Sequence, residues 1–139
     1  MKTAYWEHFE HEADIGVRGT GLTLASAFEQ AALAMSAIIT DLTLIEDKKV
    51  VDINCEEADT SLLLADWLNA LIFQMATQKL LFRRFEVNIE GARLTAKAWG
   101  EVIDAEKHQP AVEIKGATYT ELAVYQQAGQ YVAQCVVDV

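Results

Sequence analysis

The feature that most constrains the fold is the change of hydrophobic period along the chain. Residues 24–38 carry apolar side chains at intervals of about 3.6 residues, and residues 64–75 repeat that helical spacing. Residues 48–55, and most of the chain after residue 81, instead alternate apolar and polar side chains, which is typical of half-buried strands. Two helices are therefore expected among a larger number of strands.

Turn and capping residues divide the chain into consecutive hairpins. Thr23 stands where an N-cap would begin the first helix, Gly91 marks one turn, and Ala128 with Gly129 marks another. Residues 107–110 are predicted to form a polar loop. The predicted strands are, in order, residues 3–9, 15–20, 48–55, 85–89, 94–98, 118–125 and 130–137.

Few helices and many consecutive hairpins predict the α+β class. A chain of 139 residues is long enough for one domain, so residues 1–139 are expected to form a single domain. The two helices are expected to pack on one face of a mostly antiparallel or mixed sheet. Trp67 and Phe73 are expected in the core, on the second helix.

The acidic composition narrows the function classes. The chain carries 21 Asp and Glu residues against 11 Lys and Arg residues, a net charge of −10. Contacts with phosphates need a basic face, so stable direct binding to nucleic acid is not expected. Acidic domains of this size more often bind cations or dock on a basic protein. No apolar segment is long enough to cross a membrane and no signal peptide is recognisable, so a cytoplasmic protein is expected.

Carboxylates are the best candidates for chemistry, because the chain has no P-loop, dinucleotide fingerprint or Ser-His-Asp elbow. Cys55 and Cys135 are expected to be free, small, buried residues. Asp14 closes a turn between strands, and Asp138 precedes the α-carboxyl of Val139. Several oxygen ligands suit a hard divalent cation, although a turn residue and a solvated tail residue explain the same two positions.

Five short motifs, in this order and spacing, resemble the archease family. They are His-Glu-Ala-Asp-Ile-Gly at residues 11–16, Trp-Gly-Glu at 99–101, Lys-His-Gln-Pro at 107–110, Glu-Ile-Lys-Gly-Ala-Thr-Tyr at 113–119 and Val-Asp-Val at 137–139. The resemblance covers essentially the whole chain. Glu12, Gly116 and Thr120 depart from the commoner family residues, which are Thr, Ala and His, and none of these changes affects the carboxylates.

The resemblance implies an accessory protein rather than an enzyme. Archeases activate an RtcB-type, GTP-dependent RNA ligase in tRNA splicing and RNA repair, by promoting guanylylation of the ligase and multiple turnover. The implied divalent-metal site consists of Asp14, Asp138 and the backbone oxygen of Val139, with calcium expected and Mn²⁺ or Mg²⁺ as alternatives. Lys115 matches the lysine that the family requires for activation. His11 is expected either to support this site or to make a structural hydrogen bond.

The alternation of residues around Lys115 predicts its exposure. Lys115 lies on the same side of an extended segment as Glu113, and opposite Ile114, which is the expected core side. The ammonium group of Lys115 is therefore expected in solvent, where it could neutralise a phosphate or a carboxylate as a point charge.

Two other functions fit the same residues. One is a small hydrolase that uses a divalent metal held by Asp14 and Asp138, and the other is a chaperone-like binding module. Beyond His11 and Lys115 no general base or nucleophile is recognisable, which argues against turnover. The sequence also gives no indication of an exposed hydrophobic groove. The physiological metal, the contact surface on the ligase and self-association stay open.

Overall fold

The strands divide between two antiparallel sheets. The computed structural model describes residues 3–139 and has a five-stranded sheet in the order β1-β2-β8-β6, with β7 also paired to β8, and a three-stranded sheet in the order β3-β5-β4. The strands are β1 (Tyr5–His11), β2 (Asp14–Gly21), β3 (Lys49–Glu56), β4 (Leu80–Glu90), β5 (Arg93–Val102), β6 (Gly116–Ala117), β7 (Ala123–Gln127) and β8 (Gln130–Asp138). The helices are α1 (Leu24–Ile39), α2 (Thr60–Gln78) and the short α3 (Ala105–His108), with a 3₁₀ turn at Leu42–Leu44.

The α+β class is confirmed, and every strand pair is antiparallel. Helix α1 begins after Thr23, as predicted, because the Thr23 hydroxyl accepts a hydrogen bond from the Ser26 backbone N–H at 3.0 Å. Asp59 caps α2 in the same way, through the Leu62 backbone N–H. Gly91 and Gly129 have φ angles of +59° and +80°, as expected for the turns that they form.

Two local predictions are wrong. Residues 107–110 are not all loop, since the first two complete helix α3, which Asp104 caps by accepting from two backbone N–H groups. The strand predicted at residues 118–125 begins only at Ala123. The backbone N–H and the hydroxyl of Thr118 both donate hydrogen bonds to the Val136 carbonyl, and a turn follows Thr118. Four-residue helices and irregular strand edges leave no periodic signal in a sequence.

The two long helices lie between the sheets. Helix α1 contacts strands β1, β2 and β8 of the larger sheet and β4 of the smaller one, and α2 likewise contacts strands of both sheets. Trp67 is fully buried, as predicted, and its indole N–H donates to the Phe28 carbonyl at 3.1 Å. Phe73 is 62% exposed, so its predicted core position is wrong. Among the residues from 3 onward, no helix is long and apolar enough to cross a membrane.

Helix α1 packs directly on the backbone of β2 at Gly19. A Cβ atom on Gly19 would lie 2.3 Å from both the Ala27 oxygen and the Ala31 nitrogen of α1. These are backbone atoms of a helix and cannot move aside individually. The lack of a side chain at Gly19 therefore sets the distance between α1 and the larger sheet.

A nearly buried carboxylate joins α3 to the end of β5. Glu101, whose side chain is 7% exposed, accepts hydrogen bonds from the Lys107 ammonium at 2.8 Å and from the Glu46 backbone N–H at 2.7 Å. His108 is 1% exposed and its Nε2 lies 3.1 Å from the same carboxylate. The Asp104 backbone N–H donates to Nδ1 of His108, which places the ring proton on Nε2, where it donates to Glu101. Two of the sequence motifs, at residues 99–101 and 107–110, thus meet in one cluster.

The charges in this cluster hold Glu101 ionised. Burial alone would raise the pKa of Glu101, but the hydrogen bonds that its carboxylate accepts and the charge of Lys107 lower the pKa from 4.5 to about 2. A carboxyl group with a lowered pKa in the folded protein stabilises the fold above its unfolded pKa, and that stabilisation is lost as the pH falls toward the folded value.

We expect Gly19→Ala to lower the free energy of unfolding by about 1–3 kcal/mol, because α1 must shift away from β2. Gly116→Ala is the matched control: a Cβ atom there has only the Asn69 Oδ1 atom within 4 Å, at 3.7 Å. The control should change stability by less than about 1 kcal/mol. Urea unfolding measures both, and equal stability of the two variants would contradict the close packing at Gly19.

We expect Glu101→Gln to lower the free energy of unfolding at pH 7 by about 1–3 kcal/mol, since the amide cannot satisfy the same charged and backbone donors. The difference from the unsubstituted protein should shrink as the pH falls from 4.5 to 2, where Glu101 itself becomes protonated. Chemical unfolding across this pH range measures the difference. A constant difference between the two proteins would show that the ionisation of Glu101 is not what stabilises the cluster.

Candidate functional site

Four strands of the larger sheet bring the candidate residues into one cross-strand row. His11 of β1 is the register partner of Asp14 in β2, and Gly116 of β6 is the register partner of Asp138 in β8. Between these pairs, the β2–β8 ladder ends at Ile15 opposite Val137. Asp14 and Asp138 each lie one residue beyond that pair, so the register makes them cross-strand neighbours with side chains on the same face of the sheet.

Lys115 reaches the same end of the sheet through its backbone. Its N–H donates to the Asp138 carbonyl oxygen at 2.7 Å, directly before β6 begins. Ile114 is buried, whereas Glu113 and Lys115 are exposed, as the alternation of these residues predicts. The Lys115 ammonium is therefore carried in solvent by a backbone segment that is bonded to one of the two carboxylate residues.

The two aspartates of this row and the neighbouring Lys115 have side chains without a partner among the described residues. Within the described chain, Asp14, Asp138 and Lys115 make no side-chain hydrogen bond or ion pair. Two unneutralised carboxylates that face each other across antiparallel strands destabilise the pairing by their repulsion. A cation bound between them would remove that repulsion.

Few side chains at this end of the sheet are placed to bind a metal ion. Residues 3–139 contain no group of three or more His, Cys, Asp or Glu side chains placed to hold a metal ion, so His11 does not complete a three-side-chain set with the two aspartates. Further ligands would then come from backbone oxygens, uncharged side-chain oxygens or water. Val139 is half-buried and its side chain packs against the core, which holds the backbone just beyond Asp138 in place.

An apolar groove lies beside the segment that leads to Lys115. Its volume is about 420 Å³, and it is lined by the C-terminal half of α2, the start of β4 and residues 110–114, with Lys79 and Glu113 as its charged lining residues. The exposed Phe73 is on the same helix. No groove is predicted from the sequence, because the apolar residues that form it are indistinguishable there from core residues.

The two cysteines are not candidates for catalysis. Both are free, and burial raises the pKa of Cys135 to about 12. Burial, followed by the charge of Asp66, also raises the pKa of the half-buried Cys55. Neither is a thiolate at neutral pH. Cys135 is buried as expected, whereas Cys55 is only half-buried.

Comparison with known proteins decides the family. A sequence model described as the Archease protein family matches residues 6–139. The protein archease of Pyrococcus abyssi is 41% identical over 139 residues, an alignment that covers 96% of this chain and 98% of the relative. The chain belongs to the archease family.

Solved structures of the archease fold match over nearly the whole chain. The solution structure of protein 1598 from Methanobacterium thermoautotrophicum superposes with a TM-score of 0.86 at 34% identity, covering 96% of this chain and 98% of that one. A crystal structure from Thermotoga maritima, described as an archease and possible chaperone, gives a TM-score of 0.64 at 18% identity over 96% of each chain. The second match supports the fold alone.

We expect the double variant Asp14→Cys, Asp138→Cys of this archease to form an intramolecular disulfide on mild oxidation. Directly opposed residues on antiparallel strands have Cα atoms about 4.5–5.5 Å apart, within the range of about 4.4–6.8 Å that disulfides require. Mass spectrometry of peptides from the oxidised protein identifies the link. The pair Glu12→Cys, Asp138→Cys is the control and should stay reduced, since Glu12 lies in the turn beyond the row. A failure of the first pair to link would contradict the adjacency of the two carboxylates.

Proposed function

We propose that this chain is a non-catalytic accessory protein that activates an RtcB-type, GTP-dependent RNA ligase in tRNA splicing and RNA repair. It promotes guanylylation of the ligase and multiple turnover. Asp14 and Asp138, with the backbone oxygen of Val139, hold a divalent cation, and Lys115 acts beside them. Membership of the archease family makes this function the leading candidate.

The observation that carries the proposal is the cross-strand row. Asp14 and Asp138 are separated by 124 positions in the chain, yet the ladder that ends at Ile15 and Val137 makes them neighbours. The Asp138 backbone in turn accepts a hydrogen bond from Lys115. The three residues that the family resemblance implies for activation thus belong to one end of one sheet.

The residues suit a hard divalent cation. Carboxylate and backbone oxygens are the ligands that Ca²⁺, Mg²⁺ and Mn²⁺ prefer, and the two carboxylates have no competing partner among the described residues. A bound cation would supply positive charge that can attract phosphate oxygens. Asp14 and Asp138 would hold that charge at the edge of the sheet, and the Lys115 ammonium would add a second positive charge in solvent.

The net charge of −10 fits a protein partner better than RNA. A strongly acidic domain is repelled by the phosphate backbone and attracted to a basic protein surface. It can therefore approach a ligase without competing for the ligase's RNA substrate.

We expect Lys115→Ala, Asp14→Asn and Asp138→Asn each to abolish stimulation of ligase guanylylation under multiple-turnover conditions, while thermal melting changes little. Lys115 and Asp138 are exposed and Asp14 is half-buried, and none of the three side chains has a partner among the described residues, so each should contribute less than about 0.5 kcal/mol to stability. The two Asn variants should also bind calcium or manganese at least about tenfold more weakly, the change expected when one charged ligand is lost. Labelled GTP incorporation and calorimetric metal titration provide the measurements.

Matched controls distinguish the site from the general charge of the protein. Lys49→Ala removes an exposed lysine from β3, and Asp52→Asn removes an exposed carboxylate from the other sheet. Both should keep full stimulation. If Lys115→Ala also stimulates fully, Lys115 is an ordinary surface lysine, and unchanged metal affinity in both Asn variants would overturn the metal site.

A chaperone-like binding module is the second candidate. The Thermotoga maritima neighbour is described as a possible chaperone, and the apolar groove beside α2 offers a surface for unfolded chains in this protein. The same set of variants separates the two functions. Holding an unfolded chain in the groove would not depend on Asp14, Asp138 or Lys115, so suppression of aggregation that survives all three substitutions would favour the second candidate.

A further inference from the structure

The side chain of Asn69 is bonded to the backbone of strand β6 at both of its polar atoms. Its Oδ1 accepts a hydrogen bond from the Ala117 N–H at 2.9 Å, and its Nδ2 donates to the Ala117 carbonyl at 3.2 Å. The amide of Asn69 therefore satisfies both backbone polar groups of one strand residue, in the way that a neighbouring strand would.

This contact closes the outer edge of β6. The strand has only two residues, Gly116 and Ala117, which pair on one side with Asp138 and Val137 of β8. A two-residue strand with one neighbouring strand has few hydrogen bonds to keep it in place. Without a further partner, the backbone N–H and C=O groups on its outer edge would form hydrogen bonds with water. Asn69, projecting from α2, supplies the second neighbour.

The site lies directly beside this contact. Lys115 precedes the two residues of β6 and donates its N–H to the Asp138 oxygen. A shift of β6 away from β8 would therefore move Lys115 and break its bond to Asp138. By linking Ala117 to the rigid middle of α2, Asn69 opposes that shift.

Helix stability does not explain an asparagine at this position. Asn69 is exposed in the middle of α2, where Ala, Glu or Lys would stabilise the helix more. Asn side chains also compete for backbone groups and disfavour helix interiors. The two hydrogen bonds to Ala117 offset the lower helix stability that asparagine causes.

We propose that Asn69 is a positioning residue, which holds the segment of Lys115, Gly116 and Ala117 in register with Asp138 and so fixes Lys115 relative to the two carboxylates. This inference rests on the proposed function for its effect on the ligase. The restraint of β6 by Asn69 does not depend on that function.

The test uses the full chain with Asn69→Ala, Asn69→Asp and the control Gln78→Ala. Aspartate keeps an acceptor for the Ala117 N–H but places an oxygen without a proton against the Ala117 carbonyl. Gln78 is an exposed amide on the same helix, and its partner among the described residues is Gln74, one turn earlier in that helix. Four measurements are made: amide hydrogen exchange at Ala117 by NMR, thermal melting, calorimetric calcium affinity and stimulation of ligase guanylylation.

For Asn69→Ala we expect exchange at Ala117 to accelerate by about tenfold or more, because the Ala117 N–H loses the acceptor that it has among residues 3–139. The melting temperature should stay within about 3 °C of the unsubstituted protein, since improved helix propensity offsets the lost bonds. Calcium affinity and the archease concentration for half-maximal stimulation should each worsen by about tenfold. In all four measurements Asn69→Asp should give values between those of Asn69→Ala and the unsubstituted protein. Gln78→Ala should match the unsubstituted protein in all four.

Different results overturn different statements. Unchanged exchange at Ala117 in Asn69→Ala shows that Asn69 does not restrain β6. Faster exchange with full calcium affinity and full stimulation shows that restraint of β6 does not position the site. A large fall in melting temperature that accounts for the lost stimulation shows a merely structural residue. If the unsubstituted protein does not stimulate the ligase, the proposed function fails, and exchange at Ala117 with calcium affinity still decides the role of Asn69.

Discussion

The antiparallel pairing of β2 with β8 is the interaction on which the rest of the structure depends. It forms the centre of the larger sheet, supplies Gly19 and Val17 as the surface for α1, and lets β6 and β7 add to the far side of β8. Its register also determines the site. A shift by one residue would exchange the two faces on which Val136 and Val137 are buried, and it would move Asp138 away from Asp14. The packing of β8 on both of its faces therefore fixes the position of a carboxylate that is itself in solvent.

The segment that carries Lys115 is held along its whole length while the lysine side chain stays free. Helix α3 is attached to β5 through Glu101, and the next residues bond to the end of α1, where the Ala111 N–H donates to the Ile39 carbonyl at 2.8 Å. Ile114 then enters the core, and Ala117 is bonded to Asn69. A charged group on a fixed backbone loses less freedom when it binds than one on a mobile loop. The buried Glu101 cluster thus supports the site from a distance.

Local patterns were sufficient to predict the two long helices, most of the strands and a mostly antiparallel or mixed pairing of those strands. The cap at Thr23 and the turn at Gly91 are local effects that operate within a few residues. The division into two sheets is not local, because an alternating segment such as residues 48–55 has the same pattern in either sheet. The exposure of Phe73 was equally beyond prediction, since the apolar residues of α2 face both sheets and leave no clear polar side.

The residues alone offered Asp14 and Asp138 as possible cation ligands, but the resemblance to archeases was needed to favour that site over ordinary turn and tail positions. Neither Asp14 nor Asp138 differs in sequence from an ordinary turn or tail residue, and their proximity depends on a pairing between distant strands. His108 looks like a loop residue until its two ring nitrogens are seen to bond Asp104 and Glu101. Asn69 has no signal except that it is a poor helix former in the middle of a helix.

The position of β8 in the larger sheet also affects the order in which the protein folds during synthesis. When synthesis has reached residue 129, the chain already contains the residues of α1, α2 and the three-stranded sheet, but β2 still lacks its second neighbour and β7 has no partner. Contacts between residues so far apart in the chain close slowly, because a long loop must be ordered before they form. The paired carboxylates are consequently among the last features to appear during folding. A partly synthesised chain therefore presents hydrophobic strand surface before Asp14 and Asp138 become neighbours.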